Sequence, residues 1–378
     1  IRSCLVGSEM CIRDRNYTLN IKKNNKNSLC ILLNGKKYEV NSQWLYEHSG
    51  NSEIRDPYTK QLLIEAAEIS PSLKIIDAQI EKETLAITFS DNSQHNYKIN
   101  YIYSQLKKAP VSDDKYLWNK KNLKVPKYNF KNINNKMLFD IMSSVDKLGF
   151  CLVRNIPKKK NGLNELMKLI GPVKKTNWGG IADVKNINKA YDLTMTTRGL
   201  ENHTDNPYRF PTQGYIFLHC IENANNGGEN TITDGFNIAN ILRKRHKKYF
   251  DTLTSFNTFF RYADKNAYLE NKCKLIELDD DNNICQIRYN NRTEVMPYEN
   301  NKRLNEYIKA RRKFWDLIKD SKNNIEIKQM SGDMLILDNY RVLHGRKSYK
   351  DQENKRYFRQ GYMDRDIFQS KLKTATSS

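Results

Sequence analysis

The chain has 378 residues, with 64 lysines and arginines against 43 acids, and a formal net charge of +21. Hydrophobic residues make up 38% of it, enough to bury a sizeable core in one large domain or two smaller ones. No segment approaches the roughly 18 consecutive apolar residues of a membrane helix, so the sequence predicts a soluble protein without a membrane partner.

The positive charge is spread along the chain, and its sharpest cluster is "RKRHKKY" at 243–249. Lysine, asparagine, isoleucine and tyrosine are frequent throughout, as AT-rich coding would produce. A high isoelectric point alone says little about function. The charge therefore does not indicate a nucleic-acid partner, and a non-enzymatic basic nucleic-acid-binding protein remains a distant alternative.

The first part of the chain is predicted to contain three segments. Residues 1–15 look like a non-native leader, because they resemble translated sequencing-adapter read-through and lack the features of a signal peptide. Residues 16–108 form a small β-rich domain with two hairpins, one turning at Asn34-Gly35 and one at residues 91–93. Residues 109–135 are lysine-rich and weakly periodic, which is typical of a linker.

A larger domain is predicted at 136–374. Strands before and after inserted helices indicate a β-core with helical buttresses. The predicted helices are "KMLFDIMSSVDKL", "LNELMKLIG", "GFNIANILRKRHKKYFDTL" and "ENNKRLNEYIKARRKFWDLIKD". The predicted strands include "FCLVRNI", "YIFLHCI", "TFFRYA", "KLIELD", "QIRYN", "DMLILDNYRVLHGRKSY" and "RYFRQGYMDRD".

The seven cysteines lie singly, with no CxxC pair. Together with the lack of a secretory signal, this spacing indicates reduced and mostly buried thiols. A cytoplasmic location is therefore expected.

Two of the six histidines lie in polar settings inside the larger domain. His203 precedes Asp205 in "NHTDNPY", and alternation along a strand would place the two side chains on one face. His344 ends an apolar strand in "DNYRVLHGR". Two histidines and one carboxylate can hold Fe(II) on one face and leave positions open for substrates.

Two other interpretations of these residues are possible. An exposed loop pair with a hydrogen-bonded histidine at a strand end would have no chemical role. A hydrolase is less well supported, because the chain has no GxSxG stretch and no cysteine in a nucleophile's setting.

Arg356 supports the iron interpretation, since it follows His344 by twelve residues in the next predicted strand. A buried guanidinium can pair with the far carboxylate of 2-oxoglutarate through two parallel hydrogen bonds. The combination of the three ligands and this arginine is much more specific than a histidine and an aspartate alone.

The sequence resembles the γ-butyrobetaine dioxygenase and trimethyllysine dioxygenase family, within the wider taurine-dioxygenase-like superfamily. The resemblance implies a mainly β protein whose catalytic domain is a double-stranded β-helix, or jelly roll. It implies that His203, Asp205 and His344 bind iron and that Arg356 binds 2-oxoglutarate, with Asn230 or Thr231 near the cosubstrate. The stretches that carry it are "NHTDNPY", "QGYIFLHCIENANNGGENTITDGF", "IRYNN", "DNYRVLHGRKSY" and "YMDRD".

The small domain departs from that family at a structural zinc site. Relatives place three cysteines and a histidine there, whereas this chain has Ser49, Asn51, Ile54 and Ser93. A zinc site of this kind needs thiolates or imidazoles. The sequence therefore predicts that structural zinc is absent.

The resemblance also bears on the substrate. The family holds a trimethylammonium group between aromatic faces, and Trp178 and Tyr362 match two of those positions. Met195 stands at a third position, and a fourth falls near Ala182. Because the cage is incomplete at these two positions, an altered substrate preference is expected. Asp192 matches an acid of the trimethyllysine relatives and suits a substrate amine. Ordinary packing remains the alternative for Trp178 and Tyr362.

The sequence therefore predicts an Fe(II)- and 2-oxoglutarate-dependent dioxygenase. It would hydroxylate a small betaine or trimethylated amino acid, as in carnitine biosynthesis, with O2 as co-reactant. The same chemistry on a sulfonate, an amino acid or a protein side chain is the main alternative. The resemblance also makes a homodimer an expected assembly.

Overall fold

The computed structural model describes residues 19–25, 27–33, 36–81, 83–106, 115–187, 190, 192–350 and 356–375. The chain divides into two compact units, Ile1–Asp113 and Asp114–Ser378. The predicted leader and the Asn34-Gly35 turn lie outside the described residues. Among the helices that are described, none is long and apolar enough to cross a membrane.

The first unit contains two three-stranded antiparallel sheets, in the orders β1-β2-β3 and β4-β5-β6. Apolar residues that alternate along the strands, such as Leu85, Ile87 and Phe89 of β5, form its core. The elements are β1 (Leu19–Asn25), β2 (Ser28–Leu33), β3 (Lys36–Asn41), α1 (Ser42–Glu47), β4 (Ile75–Glu81), β5 (Thr84–Phe89), β6 (Gln94–Lys98) and α2 (Ile99–Leu106).

The residues that stand where the resemblance places zinc ligands pack or form local hydrogen bonds in this unit. Ser49 is buried, and its hydroxyl accepts a hydrogen bond from the N–H of Asn51 at 3.1 Å. Ile54 is also buried, whereas the Ser93 hydroxyl donates to Asp91. The absence of zinc stays a prediction, although these side chains do not offer the donors that zinc prefers.

The second unit contains the larger domain. Its strands are β7 (Lys127–Asn129), β8 (Phe150–Arg154), β9 (Ile181–Lys185), β10 (Leu200–His203), β11 (Tyr215–Glu222), β12 (Asn230–Asp234), β13 (Thr258–Ala263), β14 (Tyr268–Cys273), β15 (Ile276–Leu278), β16 (Ile284–Ile287), β17 (Glu294–Val295), β18 (Asn324–Ile327), β19 (Met334–Asp338), β20 (Val342–Arg346) and β21 (Tyr357–Met363). Its helices are α3 (Asn135–Leu148), α4 (Gly162–Ile170), α5 (Gly235–Arg245), α6 (Lys247–Ser255), α7 (Asn301–Lys319) and α8 (Arg365–Ala375).

Two sheets form the centre of this unit. The larger has the order β7-β8-β19-β11-β21-β9 and the smaller the order β10-β20-β12-β18. Their pairs are antiparallel except for β7 with β8. One buried cluster contains Phe150 and Leu337 of the large sheet together with Ile232 and Val342 of the small sheet. This arrangement confirms the predicted jelly-roll core.

Helices cover the outer side of both sheets. Residues of α3, α4 and α8 share a buried cluster with the large sheet, and residues of α5, α6 and α7 share one with Leu343 of the small sheet. Such coverage follows from the apolar stripe that each helix must bury.

The stretch predicted to be helical at 235–253 is helical except at His246, where the chain breaks into α5 and α6. A continuous helix would place His246 on the same face as Leu242 and Phe250, which are four residues away on either side. Both of those residues are buried in the core. With the break, both neighbours stay packed and His246 itself is half-buried.

The predicted linker at 109–135 also differs from the structure. Residues 107–114 lie outside the described part of the chain, but Trp118 is buried in the core between the sheets and β7 is a strand of the large sheet. Despite its polar composition, the 115–135 segment is therefore an integral part of the second unit.

A buried ion pair fixes that segment. The Arg341 guanidinium donates to both carboxylate oxygens of Asp234, at 3.0 and 2.8 Å, and to the backbone oxygens of Tyr116 and Lys147. Neither charged side chain is exposed. Asp234 also accepts from the N–H of Trp118 at 3.0 Å. The pair thus joins the 115–118 segment to β12 and the β19–β20 turn.

Asp234→Ala is expected to lower the free energy of unfolding by about 3–5 kcal/mol, because it leaves Arg341 as an uncompensated buried charge. Urea denaturation followed by far-UV circular dichroism would measure this loss. Asp251→Ala is the matched control, since its partner Lys247 is exposed and such pairs contribute at most about 1 kcal/mol. Equal stability of the two variants would contradict the assignment.

Candidate metal centre

The structure brings His203, Asp205 and His344 together. The histidines lie on neighbouring strands, directly opposite one another in the pairing of β10 with β20. Their ring centroids are 4.6 Å apart. One potential ligand atom from each of the three buried residues lies within 4.8 Å of the other two.

Asp205 reaches this position by a route that the sequence analysis did not anticipate. β10 ends at His203, so strand alternation does not place the aspartate. Its backbone is held instead by Asn339, whose side chain accepts from the Asp205 N–H at 2.7 Å and donates to its carbonyl at 3.0 Å. Asn339 is fully buried in the turn between β19 and β20.

The two carboxylate oxygens of Asp205 have different surroundings. Oδ1 lies 3.3 Å from Nε2 of His203 and 3.6 Å from Nε2 of His344. Oδ2 accepts hydrogen bonds from the Tyr362 hydroxyl at 2.8 Å and the Gln360 amide at 2.7 Å. One oxygen is therefore directed toward the histidines while the other is fixed by neighbours.

Burial controls the charge of this group. It lowers the pKa of His344 to about 3, with the neighbouring His203 acting in the same direction. Burial alone would raise the pKa of Asp205, but the two histidines and the Tyr362 hydrogen bond hold it below its ordinary value. The carboxylate is ionised and the His344 imidazole is neutral at neutral pH, which are the forms that bind metals.

The donor set fits a divalent transition metal. The Nδ1–H of His203 donates to the Glu201 carbonyl at 2.7 Å. The lone pair of Nε2, on the side of Asp205, is therefore available to bind a metal. His344 Nδ1 is buried without a hydrogen-bond partner among the described residues, so its ring is oriented by packing. Two imidazoles and one carboxylate are the set that non-haem iron uses.

Tyr362→Phe is expected to weaken metal binding about 10- to 100-fold, because it removes one of the two hydrogen bonds that orient the Asp205 carboxylate. Calorimetric titration with Mn(II) would measure the change. Tyr128→Phe is a suitable control, since its hydroxyl bonds Asp140 and Ser144 instead. Unchanged affinity in Tyr362→Phe would show that Gln360 alone fixes the carboxylate.

Arg356 is buried immediately before β21. Its guanidinium lies 4.0 Å from the Phe358 ring and 5.3 Å from the Tyr349 ring, and its Nε has no hydrogen-bond partner among the described residues. Burial, followed by the nearby charge of Arg346, lowers the pKa of Arg356 to about 10. A buried cation in such surroundings is well suited to an anionic ligand.

The structure distinguishes between the two residues proposed near the cosubstrate. In the pairing of β12 with β20, Asn230 lies opposite Arg346 and Ile232 opposite His344. Because side chains alternate across a strand, Asn230 shares the face of His344, whereas Thr231 points to the other face. On that other face the Thr231 hydroxyl donates to the Asn202 side chain at 2.5 Å, so Thr231 does not face the metal ligands.

A cavity of about 310 Å³ adjoins Asp205, and all four predicted substrate residues, Trp178, Asp192, Met195 and Tyr362, line it. Ala182 lines it too. The sequence analysis missed Tyr208, Tyr262, Arg292 and Thr293, which complete much of the wall. Tyr208 is visible within "NHTDNPY", but nothing in the pattern of β13 distinguishes Tyr262 from a packing residue.

Three of the cavity's aromatic rings are in contact. Tyr262 meets Trp178 edge-on at 4.9 Å and lies 5.4 Å from Tyr208. The Arg209 guanidinium lies 4.7 Å from the Trp178 ring, so a cation of the chain itself already interacts with that ring. Asp192 accepts from the N–H of Thr194 at 2.8 Å and has no basic partner within 4 Å among the described residues. The cavity thus combines aromatic faces with an unpaired acid.

Comparison with known proteins identifies similar chains. The family model described as "Taurine catabolism dioxygenase TauD, TfdA family" matches residues 115–362. Gamma-butyrobetaine dioxygenase of Homo sapiens is 26% identical over 353 residues, covering 87% of this chain and 89% of that protein. Trimethyllysine dioxygenase of Meyerozyma guilliermondii is 24% identical over 368 residues, covering 89% and 90%. Gamma-butyrobetaine dioxygenase of Pseudomonas sp. is 23% identical over 348 residues, covering 89% and 91%.

Proposed function

Because the chain belongs to the TauD, TfdA dioxygenase family, we propose that it is an Fe(II)- and 2-oxoglutarate-dependent dioxygenase that hydroxylates a small betaine or trimethylated amino acid. The convergence of His203, Asp205 and His344 is the observation that carries this proposal. The names of its relatives, which are gamma-butyrobetaine and trimethyllysine dioxygenases, support the substrate class.

His203, Asp205 and His344 would hold the iron, leaving positions open for cosubstrate and O2. When bound, iron supplies the O2 activation that hydroxylates a C–H bond while 2-oxoglutarate is converted to succinate and CO2. Arg356 would pair with the far carboxylate of 2-oxoglutarate. Asn230, on the face of His344, would approach the same cosubstrate, and this role is no longer proposed for Thr231.

The cavity wall supports a cationic substrate. Asp192 offers a carboxylate that has no basic partner among the described residues. The aromatic rings that attract cations are those of Trp178, Tyr208, Tyr262 and Tyr362. The cavity adjoins Asp205, so a substrate bound there would present a C–H bond near the metal. Tyr362 would serve twice, because its hydroxyl also orients the Asp205 carboxylate.

A different substrate for the same chemistry is the second candidate. Arg209 already interacts with the ring of Trp178, and Met195 and Ala182 stand where the resemblance places further aromatic residues. These features favour an amine smaller or less methylated than trimethylammonium. No comparable observation among the described residues favours nucleic-acid binding.

A succinate assay tests the proposal. The protein would be supplied with Fe(II), 2-oxoglutarate and O2 together with γ-butyrobetaine, trimethyllysine, shorter betaines or unmethylated amines. We expect one group to raise succinate formation well above the substrate-free rate, with one hydroxylated product per succinate. Succinate formation that no amine stimulates would contradict the proposed substrate class. The cytoplasmic location and the homodimer remain predictions.

A further inference from the structure

Two consecutive residues that line the cavity, Arg292 and Thr293, each carry a buried polar atom without a hydrogen-bond partner among the described residues. Nη1 of Arg292 and Oγ1 of Thr293 are both buried, and neither has a partner among the described residues. Both residues line the cavity that adjoins Asp205. Burying a donor without an acceptor is unfavourable, especially when the donor is charged. A ligand that supplies acceptor oxygens would satisfy these donors.

The loop that carries these residues is fixed relative to the metal ligands. Thr204, which lies between His203 and Asp205, donates its N–H to the Tyr289 carbonyl at 2.8 Å. Its hydroxyl accepts from the N–H of Tyr289 at 3.0 Å, and its carbonyl accepts from the Asn290 side chain at 3.1 Å. These three bonds clamp residues 289–290 to the ligand segment.

The same clamp extends to Arg292. Oδ1 of Asn290 accepts the N–H of Arg292 at 3.1 Å, and the carbonyl of Asn290 accepts the N–H of Glu294. The turn is therefore ordered by the same asparagine that bonds Thr204. Arg292 and Thr293 are held in position by backbone contacts that leave their side chains free for a ligand.

The charges of the cavity are complementary to a zwitterion. Among the described residues no acid pairs with Arg292, whose Nη1 is buried without a partner, and Asp192 lines the same cavity. Opposite charges that line one cavity without neutralising each other suit a ligand with separated charges. A guanidinium beside a hydroxyl is well suited to a carboxylate, which accepts from both.

We propose that Arg292 and Thr293 bind the carboxylate of a zwitterionic substrate whose cationic group lies at Asp192. This inference rests on the proposed function and makes it more specific, because it assigns the acid group of the substrate to residues that the sequence resemblance did not indicate. It also separates two anion sites in the unit: Arg356 binds the cosubstrate, and Arg292 binds the substrate.

The test uses anaerobic calorimetry on protein loaded with Fe(II) and 2-oxoglutarate. The probes are γ-butyrobetaine and trimethyllysine, each compared with its methyl ester, which keeps the cation but removes the anionic charge. We expect the wild-type protein to bind at least one acid about tenfold or more tightly than its ester. Arg292→Met should remove that preference by weakening the acid and leaving the ester nearly unchanged.

Two further variants separate ligand contact from a general structural effect. Thr293→Val should reduce the same preference by a smaller factor, because it removes one neutral hydrogen bond. Arg312→Met is the matched control, since Arg312 is exposed on α7, pairs with Asp316 and does not line this cavity. It should retain the full preference for the acid.

The visible charge-transfer band of the Fe(II)–2-oxoglutarate complex distinguishes the possible failures. Absence of this band in the wild-type protein would contradict the proposed function, and with it the inference that depends on that function. If the band forms, the inference alone is overturned by a wild type without preference for either acid, or by an Arg292→Met variant that keeps the preference. An equal loss of acid and ester, or a weaker affinity for 2-oxoglutarate, would also overturn it, since Arg292 would then support the fold or bind the cosubstrate.

Discussion

His203→Ala is expected to abolish substrate-coupled succinate formation, with a loss of about a thousandfold or more. The substitution leaves one imidazole and one carboxylate, which are too few protein ligands to hold iron on one face. Succinate and hydroxylated product, quantified by mass spectrometry with saturating Fe(II), would measure the effect. The fold should persist, because the His203 ring contributes mainly to the polar centre rather than to an apolar cluster.

His246→Ala is the matched control for that experiment. His246 lies at the break between α5 and α6, belongs to no metal-ligand group among the described residues and does not line the cavity at Asp205. It should retain near wild-type turnover. Full turnover by His203→Ala, with the control behaving as expected, would refute the assignment of His203 as an iron ligand.

Arg356→Met is expected to raise the KM for 2-oxoglutarate about 100-fold or more. That factor corresponds to roughly 2.7 kcal/mol, a magnitude typical of a charge-assisted bidentate pair. Initial rates over a range of 2-oxoglutarate concentrations at fixed substrate would give the value. Arg359→Met is the control, since Arg359 lies three residues further along, on β21, but pairs with Asp183.

The same variant should behave differently in stability measurements. Without 2-oxoglutarate, Arg356→Met should unfold at the same or a higher urea concentration than the wild type, because the substitution removes a buried charge. Added 2-oxoglutarate should stabilise the Fe(II)-loaded wild type by mass action and have little effect on the variant. A variant that unfolds earlier and keeps its KM would show that Arg356 is structural.

The sequence was sufficient to identify the chemistry because the ligand types are distinctive. Histidines are few in this chain, and two of them occur with an aspartate and a distal arginine in a pattern that few other sites share. The apolar stripes of α3 and α7 and the continuous run of β11 also predict those elements correctly. These signals are local, so they survive without knowledge of tertiary contacts.

Other features depend on register and long-range contacts that sequence patterns do not contain. Asn230 and Thr231 are neighbours in sequence, and only the pairing of β12 with β20 determines which one shares the face of His344. Asp205 is placed by Asn339, which lies 134 residues away. Tyr262 and Arg292 enter the cavity from separate elements, and neither stands out from its surrounding sequence.

The centre is built around the turn that connects β19 of the large sheet to β20 of the small sheet. His344 lies on β20, His203 is directly opposite it, and Asn339 in the β19–β20 turn holds the backbone of Asp205. The ligand set is thus preorganised, because strand pairing places the two histidines and the Asn339 side chain places Asp205. Little of the free energy of ion binding is therefore needed to order the chain. Removal of the ion should leave the three ligand side chains in the same positions.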